Sequence, residues 1–171
     1  MLPALCLLLC AGCSSLPDSF PPPPQRPALD AKAGLPVGYF VYMEDPESDR
    51  YIVQGFASKS EGTWRWAYER PVLQFWGPDL PQVQFFMDFS IPERTFRVTG
   101  PVTLTFSLNG KVFDHLLCAQ PGQQSYSHEV PAGLLLKNAM NVVSIQPDKF
   151  WVSKEDGTKH GFVLARAGFS E

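Results

Sequence analysis

The chain has 171 residues, of which 44% are hydrophobic, 13% aromatic and only 18% charged; this excludes a disordered protein and suits one aromatic-rich globular domain. Lys and Arg number 14 against 17 Asp and Glu, and the net charge of −3 excludes the basic stripe that a nucleic-acid partner requires. The same charge gives anionic lipid nothing to attract.

The chain opens on an apolar run from Met1 to Gly12, short of the roughly 20 residues that a bilayer span needs. It ends in Leu9-Cys10-Ala11-Gly12-Cys13-Ser14-Ser15. This stretch resembles a bacterial lipobox, with Ala11 and Gly12 at the small-residue positions and Cys13 as the residue to be lipidated. Cys10 stands where lipoboxes usually carry Leu, and no Lys or Arg precedes it. The resemblance implies that residues 1–12 are a signal peptide and that Cys13 is a lipid anchor in a bacterial cell envelope. Ser14 after Cys13, rather than Asp, resembles outer-membrane sorting. Residues 13–36 then carry Pro17, Pro21, Pro22, Pro23, Pro24, Pro27 and Pro36. Without their N–H donors this segment reads as a semi-rigid polyproline spacer. Residues 37–171 form the expected folded domain.

From there the pattern has period two. Candidate strands are Tyr39 to Met43, Tyr51 to Phe56, Thr63 to Tyr68 and Val72 to Trp76. Between the first two, Glu44, Asp45, Glu47 and Asp49 supply hard oxygen ligands of the kind calcium prefers, with Pro46 and Ser48 equally suited to a plain turn. A structural calcium is the one cofactor this run offers. In the stretch 82–89, Val83, Phe85, Met87 and Phe89 share one face while Gln82, Gln84 and Asp88 share the other. Val102 to Leu108 alternates more cleanly still. Asn109-Gly110 follows it at once, and this pair suits the positive φ values of a type I′ hairpin, so Lys111 to Leu117 should pair back. Further strands are expected at Tyr126 to Val130, Asn141 to Gln146 and Gly161 to Phe169. Only Pro131 to Met140 offers a helical turn, opened by Pro131. The expected class is all-β, an antiparallel jelly-roll-like β-sandwich.

Cys6 and Cys10 would leave with the signal and Cys13 would carry lipid, so Cys118 stands alone between apolar neighbours and reads as a buried, inert thiol. His115, His128 and His160 lack zinc-site spacing, although His115 and His128 could meet across neighbouring strands. Glu61, Asp88, Glu129, Asp148 and Asp156 are available to a glycosidase, but hydrolysis needs two carboxylates set across one bond and sequence pairs none of them. No nucleophile elbow, P-loop or dinucleotide fingerprint is present.

Three segments carry a family likeness: Gly55-Phe56 with Glu61-Gly62-Thr63-Trp64-Arg65-Trp66-Ala67; Val102 to Gly110; and Asn141-Val142-Val143 through Trp151-Val152-Ser153 and Asp156 to Gly161-Phe162-Val163-Leu164. Together they resemble galactose-binding-like jelly-roll modules of bacterial envelope proteins, with His160 where that family usually has Leu. The resemblance implies a non-catalytic module, and carbohydrate binding is one activity of such modules. Indole faces cover the apolar side of a sugar ring while polar neighbours take its hydroxyls. Trp151 beside Lys149 and Asp148, just before a loop at Ser153 to Lys159, is the first candidate site. Trp76 is the second. Trp64 and Trp66 share a strand face and read as core, which points Arg65 outward as a further polar candidate. The leading expectation is an envelope lipoprotein that binds glycan or another envelope component. A structural subunit docking an envelope protein is the alternative, and a glycoside hydrolase is third.

Overall fold

Val102, Leu104, Phe106 and Leu108 are each fully buried, as their alternation demands, in a computed structural model that describes residues Val37–Ser170. Cys13 and the linker 13–36 lie outside the described residues. Among the described residues eleven strands and one α-helix follow in chain order. They are β1 (Phe40–Tyr42), β2 (Ile52–Phe56), β3 (Arg65–Trp76), β4 (Gln84–Ile91), α1 (Glu93–Thr99), β5 (Val102–Leu108), β6 (Lys111–Cys118), β7 (Gly122–Glu129), β8 (Met140–Pro147), β9 (Trp151–Val152), β10 (Lys159–His160) and β11 (Phe162–Ser170).

Pairing is antiparallel throughout. One layer runs β3-β8-β5-β6 and the other β1-β11-β4-β7, with β2 on the free edge of β3. This is the strand order of a jelly roll, so the all-β sandwich expected from the sequence is the fold observed. The layers join through β3. Its first residues, Arg65 to Ala67, pair with β11, and its last, Val72 to Trp76, pair with β8. Two strands were expected here, split at Pro71, and the structure has one. Pro71 is tolerated because it falls between the two pairings, where that edge of β3 needs no N–H donor. Across from it Gly55 adopts φ +78, and a Cβ there would lie 2.1 Å from the Arg70 carbonyl oxygen, so the closeness of β2 to this bend requires glycine.

The layers meet on aromatic rings. Phe85 of β4 is fully buried, with Phe75, Phe106 and Phe169 centred 6.4, 6.2 and 5.8 Å away. Tyr126 of β7 stacks flat on Phe106 at 4.1 Å. At the outer strands, Asp114 of β6 accepts the Tyr126 hydroxyl at 2.7 Å and lies 3.0 Å from His128 Nδ1, so a polar group bridges the layers where no ladder does. Burial, then the Asp114 carboxylate, pushes the Tyr126 hydroxyl well above its usual range. His115 and His128 do not meet: His115, next to Asp114, projects from the opposite face of β6 and sits 3.1 Å from Thr105 Oγ1 of β5.

The Asn109-Gly110 hairpin forms as expected, with φ 51 and 82. The expected helical turn in 131–140 is absent. Gly133 and Asn138 both take positive φ there, and the segment is a string of turns. Fully buried Asn141 holds it, its Oδ1 accepting the Leu136 N–H at 2.8 Å and its Nδ2 donating to the Leu136 and Ala139 carbonyls at 2.8 and 2.9 Å. The observed helix α1 lies instead after Pro92, with Gly100 at φ 65 closing it. Cys118 is buried, and desolvation with the Asp148 charge lifts its thiol to about 11, which leaves it unreactive at neutral pH.

Candidate functional site

The short ribbon of β9 and β10 pairs Trp151 with His160 and Val152 with Lys159. Its tip is a turn built by Asp156, whose Oδ1 accepts the Thr158 N–H at 3.0 Å and whose Oδ2 accepts the Thr158 hydroxyl at 2.7 Å. Those bonds hold the Asp156 carboxyl down at about 2. The loop expected at Ser153 to Lys159 is thus a braced hairpin tip.

The ribbon lies beside the start of β3 and against α1, and encloses a cleft of about 550 Å³ with them. Trp66 and Tyr68 enter from β3, Arg94 from α1, Glu61 from the turn before β3, and Trp151, Lys154, Glu155, Asp156 and His160 from the ribbon. The His160 ring is the hub. It stands edge-on to Trp66 at 4.7 Å and to Tyr68 at 5.4 Å, and is tilted to Trp151 at 4.9 Å. The Arg94 guanidinium lies over both indoles, 5.0 Å from the Trp66 ring centre and 4.7 Å from that of Trp151. Stacking of this kind fixes ring orientation and leaves the planar N–H donors at the rim.

His160 Nδ1 is buried with no hydrogen-bond partner among the described residues. Burial, then the Arg94 charge, holds the imidazole below its ordinary 6.5, against the opposing pull of Asp156 and Glu61. The unfolded chain therefore takes up this proton first as pH falls, and the contribution of the neutral ring to stability is complete above the ordinary value and lost as pH falls from it through the lower folded value. His160→Gln is expected to flatten the fall in thermal stability between about pH 7 and pH 5. An unchanged slope would place the titration elsewhere.

The sequence candidates divide sharply. Trp151 is in the cleft, but its chain neighbours are not. Asp148 accepts the Thr103 N–H at 2.7 Å and Lys149 donates to the Pro101 carbonyl at 2.7 Å, so both continue the seam between β8 and β5. Trp76, 37% exposed, lines a separate hollow with Val37, Gly38 and Tyr39. Arg65 does not point into solvent: it is 5% exposed, its Nη1 lies 2.5 Å from Asp49 Oδ1 and its Nη2 3.3 Å from Ser48 Oγ. The reason is the 3₁₀ turn Ser48–Tyr51, which packs over the face of β3 that alternation assigns to solvent.

That turn also redirects the calcium candidates. Asp49 is committed to Arg65, Glu47 pairs with Arg50 Nε at 2.6 Å, and Asp45 Oδ1 accepts the Glu47 N–H at 2.8 Å. Glu44 is exposed beside them. Among the described residues no three His, Cys, Asp or Glu side chains converge as a metal site requires.

Sequence reading missed Arg94, because α1 was not expected; it assigned Trp66 to the core, and Trp66 is buried. Trp66 is 6% exposed, yet it turns its ring to the cleft rather than to the cluster between the layers. His160, which has no zinc-site spacing in the sequence, is the residue around which the rings gather.

No family model matches the chain, and no curated protein does. Among solved structures it is similar to a family 35 carbohydrate-binding module from Clostridium thermocellum (TM-score 0.45, 11% identity, 77% of this chain and 98% of that one). It is also similar to the exo-β-1,3-galactanase of Phanerochaete chrysosporium (TM-score 0.46, 10% identity, 83% of this chain and 32% of that one). A third is a family GH115 4-O-methyl-α-glucuronidase (TM-score 0.44, 13% identity, 63% of this chain). The chain spans 14% of that glucuronidase and 32% of the galactanase.

Proposed function

We propose that this protein is a non-catalytic glycan-binding module whose binding site is the cleft between the β9–β10 ribbon, β3 and α1. The observation that carries this reading is the ring cluster of Trp66, Trp151 and His160 with the Arg94 guanidinium laid across the indoles. Trp151 keeps part of its indole exposed beside the Arg94 donors and the cleft carboxylates, and apolar surface next to such groups suits a sugar, which has a C–H face and a rim of hydroxyls. Acid catalysis would ask for a carboxyl lifted by burial, whereas Asp156 is driven the other way by its own turn. The test is a titration of the full chain with xylose, glucose, galactose, mannose and soluble envelope polysaccharides. Saturable binding that shifts the Trp151 and Trp66 indole signals is expected, and a blank panel would overturn the reading.

The module is displayed, in this proposal, on a lipid anchor at Cys13 in the bacterial envelope, through the proline spacer. Palmitate label should enter the protein in cells and be lost in Cys13→Ala. A second reading, a subunit docking an envelope protein, is favoured by one observation. Trp76 and Met140 lie opposite each other in register, and with Val142 they expose apolar surface outside β3 and β8, at 37%, 38% and 41%. A blank sugar panel with a stoichiometric cross-link at this face would favour it.

A further inference from the structure

We infer that the cleft is one end of a longer groove, and that a second sugar-ring subsite lies beyond it at Trp64. The inference rests on the glycan reading of the cleft and names the ligand class: an oligosaccharide of two or more rings, uncharged at the ring that meets Trp64. The turn Glu61–Trp64, closed by the Glu61 N–H on the Trp64 carbonyl at 2.7 Å, is the wall between two cavities. Glu61 faces the cleft, while Thr63 and Trp64 line a second cavity of about 290 Å³.

The floor of that second cavity is set by strand register. Val163 of β11 pairs with Ser90 of β4, and Ser90 with Gln123 of β7, so the three side chains stand in one row on one face of the layer. Trp66 of β3 stands opposite Val163 at the end of that row, and Trp64, two residues before it, lines the second cavity with its ring perpendicular to Trp66 and 5.9 Å from it, a step comparable to the length of one hexose unit. The surroundings repeat the chemistry of the cleft without its charge: an indole with Val163 and Ala165 as apolar surface, two hydroxyls from Thr63 and Ser90, and one amide from Gln123. A chain leaving Trp66 meets a second ring surface with neutral hydrogen-bonding groups around it, whereas Arg94, Lys154, Glu61, Glu155 and Asp156 are all in the cleft.

The test compares xylose, glucose, galactose and mannose with their di-, tri- and tetrasaccharides on the full chain, followed by affinity and by the indole N–H signals. A monosaccharide should move Trp66 and Trp151 alone. The longer sugars should bind tenfold or more tightly and move Trp64 as well. Trp64→Ala should remove that gain and keep monosaccharide affinity. Gln123→Ala, on an exposed position of β7, should reduce the gain severalfold and decides the matter if Trp64→Ala fails to fold. No gain with chain length, or a gain that survives in the folded variants, overturns the second subsite and leaves the cleft standing. No indole movement with any sugar overturns both.

Discussion

Trp151→Ala is expected to weaken glycan binding by about tenfold to a hundredfold, the equivalent of roughly 1–3 kcal/mol, with little change in melting temperature. The ring lies 4.7 Å from the Arg94 guanidinium and 4.9 Å from His160, so its removal takes away a stacking surface and frees the arginine together. It sits on a two-residue strand outside the two layers and contributes nothing to the cluster between them, so the fold should tolerate the loss. Trp76→Ala supplies the control, because Trp76 lines a hollow that shares no residue with the cleft. Calorimetry with the tightest-binding sugar separates the two. Equal losses in both variants would show that the readout follows general damage and not the cleft.

Phe85→Ala is expected to have the largest effect on stability, a loss of about 3–5 kcal/mol and a fall in melting temperature on the order of 10–20 °C. Phe85 is fully buried, and besides Phe75, Phe106 and Phe169 its ring has Phe113 and Tyr126 at 6.4 and 6.5 Å. These rings come from five other strands in both layers, so no single element can move to fill the cavity. Phe86→Ala, one residue along and on the opposite face, should cost much less, because Phe86 is only partly buried. Thermal unfolding of the pair tests the alternation itself, and similar losses would mean that the two faces of β4 are not distinct.

Much of the fold was legible because strand patterning is local. Val102 to Leu108 carries its own alternation and its own turn, and the observed strand has those bounds. β3 was less legible, since Pro71 punctuates the sequence and only the exchange of partners from β11 to β8 makes it harmless. Helix α1 has readable ends in Pro92 and Gly100, but seven residues hold too little periodicity to reveal it and could not form a stable helix unaided. Arg65 shows where alternation fails. A two-residue period says which side a residue faces and says nothing about what covers that side.

The sequence by itself determined the class of fold, the inward faces of β4 and β5, the Asn109-Gly110 hairpin and the buried state of Cys118. Each depends on neighbours within a few residues, where propensity and pattern act. Only the tertiary structure decided that Trp151 keeps company with Arg94, Trp66 and His160 rather than with Asp148, Lys149, Arg65 or Trp76. The cleft is assembled from the start of β3 with the turn before it, a helix and a ribbon, three parts far apart in the chain, and their meeting follows from jelly-roll pairing, which no local pattern encodes.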